Sequence, residues 1–137
     1  KLSELQKNCN ISIAAGENSS TFFDFKKMID AKAVSFSQPS VIKVGGISEM
    51  IKVINYSEKN KVPVMPHTAY FGPGFLASLH LASHTSLDTL IERFWLDLEE
   101  EFYPEFQLAK DGKYFLPKGP GLGLNFNEKK ILKYKVN

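Results

Sequence analysis

Three residues of the 137-residue chain stand where side chains commonly do chemistry: Glu17, His67 and Glu92 each follow a short apolar run. Glu17 comes after Ile11-Ser12-Ile13-Ala14-Ala15 and Gly16, His67 after Val62-Pro63-Val64-Met65 and Pro66, and Glu92 directly after Thr89-Leu90-Ile91. Runs this short read as buried strands, and α/β folds bind ligands where loops converge at the carboxyl ends of parallel strands. A carboxylate there can hold a hard divalent cation, and a histidine can act as general acid or base. Each residue alone also fits a solvated loop or a helix cap. Three in succession at strand ends favour a shared site.

The elements that must position them follow from spacing. Thr21 and Asp24 form a capping-box pattern ahead of Phe22, Phe25, Met28 and Ile29, which predicts a helix of about ten residues. A short strand around Val34-Ser35-Phe36 follows, and a second apolar run, Val41-Ile42-Lys43-Val44, leads to Gly45-Gly46, where the chain turns into a helix. That helix carries Ile47, Met50, Ile51 and Ile54 on one face and Glu49, Lys52, Asn55 and Glu58 opposite. Gly72-Pro73-Gly74 opens a further helix from Phe75 to Ala82. Strand and helix alternating at about 25-residue intervals predict parallel βαβ units. After Phe94 the rhythm breaks into an acidic cluster (Asp97, Glu99, Glu100, Glu101), a Gly/Pro-rich stretch and a short helix over residues 128–133.

Composition removes several classes. Seventeen basic against fifteen acidic side chains give a net charge of +2, too balanced for a nucleic-acid binder. A single cysteine, Cys9, excludes an internal disulfide and suits a reducing, cytoplasmic setting. No apolar run approaches the roughly 20 residues that span a bilayer, and the opening residues lack a signal-peptide apolar core. The first residue is Lys1, not Met, and the chain opens in what reads as the tail of a helix. Among weaker candidates, Cys9 reads as a small core residue, His80 and His84 carry no assigned role, and the acidic cluster reads as a solvated face. Gly119-Pro120-Gly121-Leu122-Gly123 lacks the Lys-Ser/Thr ending of a P-loop and reads as turn and strand.

Four stretches in order resemble the enolase superfamily, and within it the mandelate racemase/muconate lactonizing enzyme family. They are Ile13–Asn18, Gln38–Glu49 with its Gly45-Gly46, Val62–Thr68 with Pro66-His67, and the closing Gly119–Leu124. The resemblance covers nearly the whole chain. It implies an α/β fold: residues 1–95 as βα units five to eight of a modified TIM barrel, and residues 96–137 as a tail returning to a capping domain. The capping domain and the first half of the barrel would lie upstream. It also implies an Mg²⁺-dependent enzyme that abstracts the proton next to a carboxylate. Glu17 would be the last of three metal carboxylates, His67 a general acid/base, and Glu92 the acid that hydrogen-bonds the substrate carboxylate.

Two departures follow from the same resemblance. Racemase-type members carry an Asp at the end of the sixth strand that pairs with the histidine, and other members carry a catalytic Lys in that column. Here the position is Ser40, and Lys43 does not replace that Lys. The expectation is that His67 lacks an anionic partner, that Ser40 holds its ring by a neutral hydrogen bond, and that the histidine is a weaker base. Second, the catalytic lysines and two further metal carboxylates are expected upstream, as part of the same enzyme. A dehydratase of acid sugars is favoured over a racemase, because one acid at the seventh strand suffices to protonate a leaving hydroxyl. The expected partners are a small carboxylate such as a sugar acid, the missing N-terminal part, and further copies in a homo-oligomer, with no nucleic acid or membrane. The competing readings are a catalytically silent homologue that binds or assembles and, less favoured, an independent flavodoxin-like binding domain.

Overall fold

Strand, helix, strand, helix is the order the chain adopts through its first half. The computed structural model describes residues 1–94, 96, 98–100, 102–103, 108–124 and 126–136. Helix α1 (Leu2–Asn8) leads to β1 (Ala14–Ala15), α2 (Phe22–Asp30), β2 (Phe36–Ser37) and α3 (Ile47–Lys59). β1 and β2 pair in parallel, with Ala14 opposite Phe36 and Ala15 opposite Ser37. Val64 adds a third parallel line through a bridge to Ser37. Parallel neighbours need a crossover, and α2 and α3 supply one each. This is an α/β fold, as expected.

α2 begins where the sequence places its cap. The Thr21 side chain accepts from the Asp24 amide at 3.3 Å, and the Asp24 carboxylate accepts from the Thr21 amide at 3.2 Å. Two otherwise orphaned donors are satisfied, an arrangement that stabilises a helix start by about 1 kcal/mol. Phe25 and Ile29 face inward, and α3 turns Met50, Val53 and Ile54 toward them. Together with Val41, Val44, Val64, Ala77 and Leu81, all but Ile29 form one buried cluster. Ile47 and Ile51, expected on that same face of α3, are exposed. The run Val41–Val44 is an overlapping turn, closed by Val44 N–H to Ser40 C=O at 2.9 Å, whose two valines are buried. Lys26 and Tyr56 both bind Asp30, joining α2 to α3 and holding the Asp30 carboxyl below the usual carboxylate range.

α4 (Pro73–Ala82) is buried nearly all round: Phe75, Leu76, Ala77, Ser78, Leu79 and Leu81 are inaccessible. A helix apolar on every side must sit between two layers. One side of α4 joins the first cluster; Phe75, Leu76 and Leu79 form a second with Ile91, Leu108, Tyr114 and Leu122. Tyr114 comes from a hairpin, β3 (Ala109–Lys110) and β4 (Lys113–Tyr114), that apolar periodicity does not reveal. Its turn, Asp111-Gly112, has positive φ at both residues, the conformation for which Asp-Gly is favoured. α5 (Glu128–Lys133) matches its expected bounds.

Three expectations are corrected. Residues 89–91 form no ladder; Thr89 Oγ1 instead contacts Thr85 Oγ1 at 2.6 Å, and the segment is tied to Thr68 through Glu92. Cys9 is half-buried at the end of α1, outside the core clusters. Of the acidic cluster, Asp97 and Glu101 lie outside the described residues, while Glu100 pairs with Lys130 at 2.8 Å and Lys133 at 3.3 Å. The Gly119–Gly123 stretch is a turn closed by Gly123 N–H to Pro120 C=O at 3.1 Å.

Two predictions arise from this architecture. Among the described residues β1 and the Val64 line each leave one edge unpaired, and Ile11, Ile42 and Leu90 are exposed. Residues 1–137 expressed alone are therefore expected to self-associate or to form a molten state. Light scattering and thermal melts across a concentration series check this; a monomer with a sharp, concentration-independent transition contradicts it. The second concerns Glu58 at the end of α3, which accepts from the Ser86 amide and from Ser86 Oγ (3.0 Å). These bonds, the backbone one foremost, lower its carboxyl below the ordinary value near 4.5. A depressed folded-state value means stability that is present above about pH 4.5 and lost as pH falls through the folded value. In the full-length protein Glu58→Gln is expected to cost about 1 kcal/mol at neutral pH, discounted for solvent exposure, with the gap closing in acid. Denaturant melts from pH 7 to pH 3 read it directly.

Candidate active site

The parallel ladder brings the Glu17 and His67 side chains to one mouth, and Glu92 joins them from a segment outside the ladder. Gln38 N–H donates to Ala15 C=O at 2.9 Å, Met65 N–H to Ser37 C=O at 2.8 Å, and His67 N–H to Pro39 C=O at 3.0 Å. These bonds register the ends of the three strand lines, so residues 17, 40 and 67 emerge on one side. Gly16, at φ +132°, passes so close to Phe25 that a Cβ would collide with its ring and crowd the Gln38 carbonyl. Glu17 follows it, with its carboxylate half exposed.

His67 sits between two carboxylates. Its Nδ1 lies 2.8 Å from Glu92 Oε2 and 3.7 Å from Glu17 Oε2, and its side chain is only 16% exposed. Glu92 Oε2 also accepts from the Thr68 amide at 3.0 Å, and Thr68 Oγ1 donates to the Glu92 carbonyl. The expectation that His67 lacks an anionic partner is therefore corrected. A segment that forms no ladder still delivers its carboxylate, because Thr68 grips it at two points.

Ser40 is buried, but its hydroxyl turns to Tyr70 at 3.4 Å, not to the imidazole. The Tyr70 hydroxyl continues to Ser78 Oγ at 3.2 Å, and Ser78 donates to the Gly74 carbonyl at 3.0 Å. Spacing did not single out Tyr70, whose ring meets His67 edge-on at 6.3 Å and 77°. The only sequence hint was its position three residues past the histidine. Lys43 donates to Asn18 Oδ1 at 3.1 Å, beside Glu17. His80 lies 3.4 Å from the Leu122 carbonyl, away from the mouth. A cavity of about 580 Å³ beside the hairpin is lined by Leu79, Thr89, Arg93 and Tyr114, and by none of Glu17, Ser40, His67 or Glu92.

A hard cation such as Mg²⁺ takes six oxygen ligands in near-octahedral geometry. Glu17 offers one outward carboxylate here, Glu92 is engaged by His67, and the described residues contain no group of three metal-ligating side chains. The donor set of the described residues does not by itself make a magnesium site.

Comparison with known proteins gives this geometry its family. A mandelate racemase/muconate lactonizing enzyme-like protein from Rubrobacter xylanophilus is 28% identical, with a TM-score of 0.87 over 99% of this chain and 35% of that one. A mandelate racemase/muconate lactonizing protein from Paracoccus denitrificans, solved with magnesium, is 26% identical at TM-score 0.79, over 96% of this chain and 36% of that one. The 3,6-anhydro-D-galactonate cycloisomerase from Zobellia galactanivorans is 26% identical at TM-score 0.76, over 97% and 38%. The chain thus spans little more than a third of the length of these structures. The family model for enolase C-terminal domain-like proteins matches residues 1–130. On this match over nearly the whole chain, the chain belongs to the mandelate racemase/muconate lactonizing enzyme family of the enolase superfamily, matching its C-terminal domain.

Proposed function

We propose that this chain supplies the second half of the barrel of an enzyme that abstracts the proton α to a carboxylate, acting as an acid-sugar dehydratase or racemase. Residues 1–95 are βα units five to eight, and residues 96–137 return to a capping domain contributed by the rest of the same polypeptide. The observation that carries the reading is the His67 imidazole held at the strand ends between Glu17 and Glu92. The sugar-acid name of the Zobellia relative supports the substrate class, and the magnesium of the Paracoccus relative supports the cofactor. Glu17 is assigned one position in an Mg²⁺ site whose other ligands lie outside this chain.

The residues in hand allow a definite division of labour. A carboxylate on Nδ1 leaves Nε2 as the nitrogen that exchanges a proton. Such a group can take the proton next to a carboxylate or give one to a departing hydroxyl. One histidine suffices for the second task, whereas racemisation needs a competent group on each face, so dehydration is the favoured outcome. Ser40 contributes through Tyr70, as a buried support of the mouth. A cytoplasmic homo-oligomer, free of nucleic acid and membrane, is part of the proposal; among the described residues no helix is long and apolar enough to cross a membrane.

A second reading has one observation in its favour. Ser40 occupies the column where racemase-type relatives carry an acid and turns its hydroxyl away from the histidine, which suits a silent homologue that binds or assembles. Solvent-deuterium exchange into a panel of sugar acids, with and without Mg²⁺, separates the two in the full-length protein. Metal-dependent exchange at the α-carbon is expected. A folded, metal-loaded protein that exchanges none of them supports the silent homologue.

A further inference from the structure

We infer that Glu92 is the positioning carboxylate of His67, the part that Ser40 leaves vacant, and not a ligand of the substrate carboxylate. The inference rests on His67 being the acid/base group proposed above. Its first support is distance: Nδ1 to Glu92 Oε2 is 2.8 Å, the length of a charge-assisted bond, while Glu17 stands back at 3.7 Å. The second is the second donor on the same oxygen. Glu92 Oε2 accepts the Thr68 amide at 3.0 Å as well, so this oxygen already serves as an acceptor. To hydrogen-bond a substrate carboxylate, Glu92 would have to donate, and so carry a proton.

Connectivity is the third support. Thr68 follows His67 directly and holds Glu92 twice, by its amide and by Oγ1 to the Glu92 carbonyl. His67 itself is pinned through its amide to the Pro39 carbonyl. The ring and its carboxylate are thus fixed to one short stretch of backbone, and the ring is mostly shielded from water that would compete for Nδ1. Ser40, with its hydroxyl on Tyr70, makes no bond to the ring among the described residues. The device fixes the tautomer: Nδ1 carries the hydrogen, and Nε2 keeps the lone pair.

The test uses the full-length protein, its sugar-acid substrate and ¹⁵N labelling. Two-bond ¹H–¹⁵N correlations, recorded at a pH where the ring is neutral, should show His67 as the Nδ1–H tautomer. In Glu92→Gln the tautomers should mix, and kcat should fall on the order of 10²-fold with KM within about three-fold. A KM raised about ten-fold or more with the wild-type tautomer retained would overturn the inference and return Glu92 to the substrate. Thr68→Val, which keeps the buried shape and removes one grip on Glu92, gives a second reading if Glu92→Gln does not fold. It should lower kcat several-fold with a minor tautomer appearing, and an unchanged tautomer and kcat would count against the inference. A wild-type protein that exchanges no sugar acid yet shows the Nδ1–H form, lost in Glu92→Gln, sinks the activity reading alone.

Discussion

Replacing His67 by Asn is expected to lower turnover by about a hundred-fold or more while leaving divalent-cation affinity within about three-fold of the parent. The Asn amide nitrogen can stand near the position of Nδ1 and keep the contact with Glu92, but nothing then occupies Nε2. Proton transfer is lost and the mouth is not. Glu17→Gln is the matching experiment. The neutral amide is a poorer ligand for a hard cation, so Mg²⁺ affinity measured by calorimetry should fall together with activity. If His67→Asn keeps turnover within a few-fold of the parent while Glu17→Gln does not, His67 is a structural residue and the chemistry lies upstream of this chain.

Gly16→Ala is expected to destabilise the full-length protein by about 2–5 kcal/mol, combining left-handed strain with overpacking. Its φ is +132°, and a Cβ would lie 2.5 Å from Phe25 Cε1 and 3.2 Å from the Gln38 carbonyl oxygen. Neither neighbour can yield cheaply. Phe25 is wholly buried among Met50, Val53 and Ile54, and Gln38 belongs to the ladder. Denaturant midpoints measure the loss, and Phe25→Leu in the same background should recover part of it, because the two sites touch. A loss below about 1 kcal/mol would mean that the β1 end is free to shift, and that Glu17 is not held by the core.

Much of this was legible in the sequence, for identifiable reasons. Thr21 and Asp24 announce α2 because a capping box is a local contact, and spacing announces the 47–59 helix but only half of its inward face. Met50 and Ile54 are buried, Ile47 and Ile51 are exposed, and Val53 fills the core in their stead. Glu17 and His67 were found because strand ends are marked by the apolar runs that precede them. Periodicity reports burial, however, and not which neighbour a segment finds. Thr89-Leu90-Ile91 has the composition of a strand and lacks a ladder partner among the described residues, so it lies beside Thr68 without strand pairing. The same gap hid the histidine's partner. The resemblance directed attention to position 40, whereas the carboxylate arrives from position 92, a choice made by tertiary contact 25 residues further along the chain than His67.

The bonds that align the mouth run between main-chain atoms: Gln38 to Ala15, Met65 to Ser37, His67 to Pro39. A peptide amide is the same whatever side chain it carries, so the ladder is indifferent to the groups displayed at residues 17 and 67. Selection can therefore exchange those groups one codon at a time, an acid for an amide or a histidine for a lysine, without re-registering the strands. Position 40 adds a side-chain requirement, because its hydroxyl is buried and bonded to Tyr70, so an exchange there must be accommodated by that ring as well. Within this one mouth the ladder survives every exchange, and what differs from site to site is how much packing must move with it. A lineage in search of a new activity would meet its easiest step at the half-exposed position 17, and would have to repack neighbours at 67 and 40.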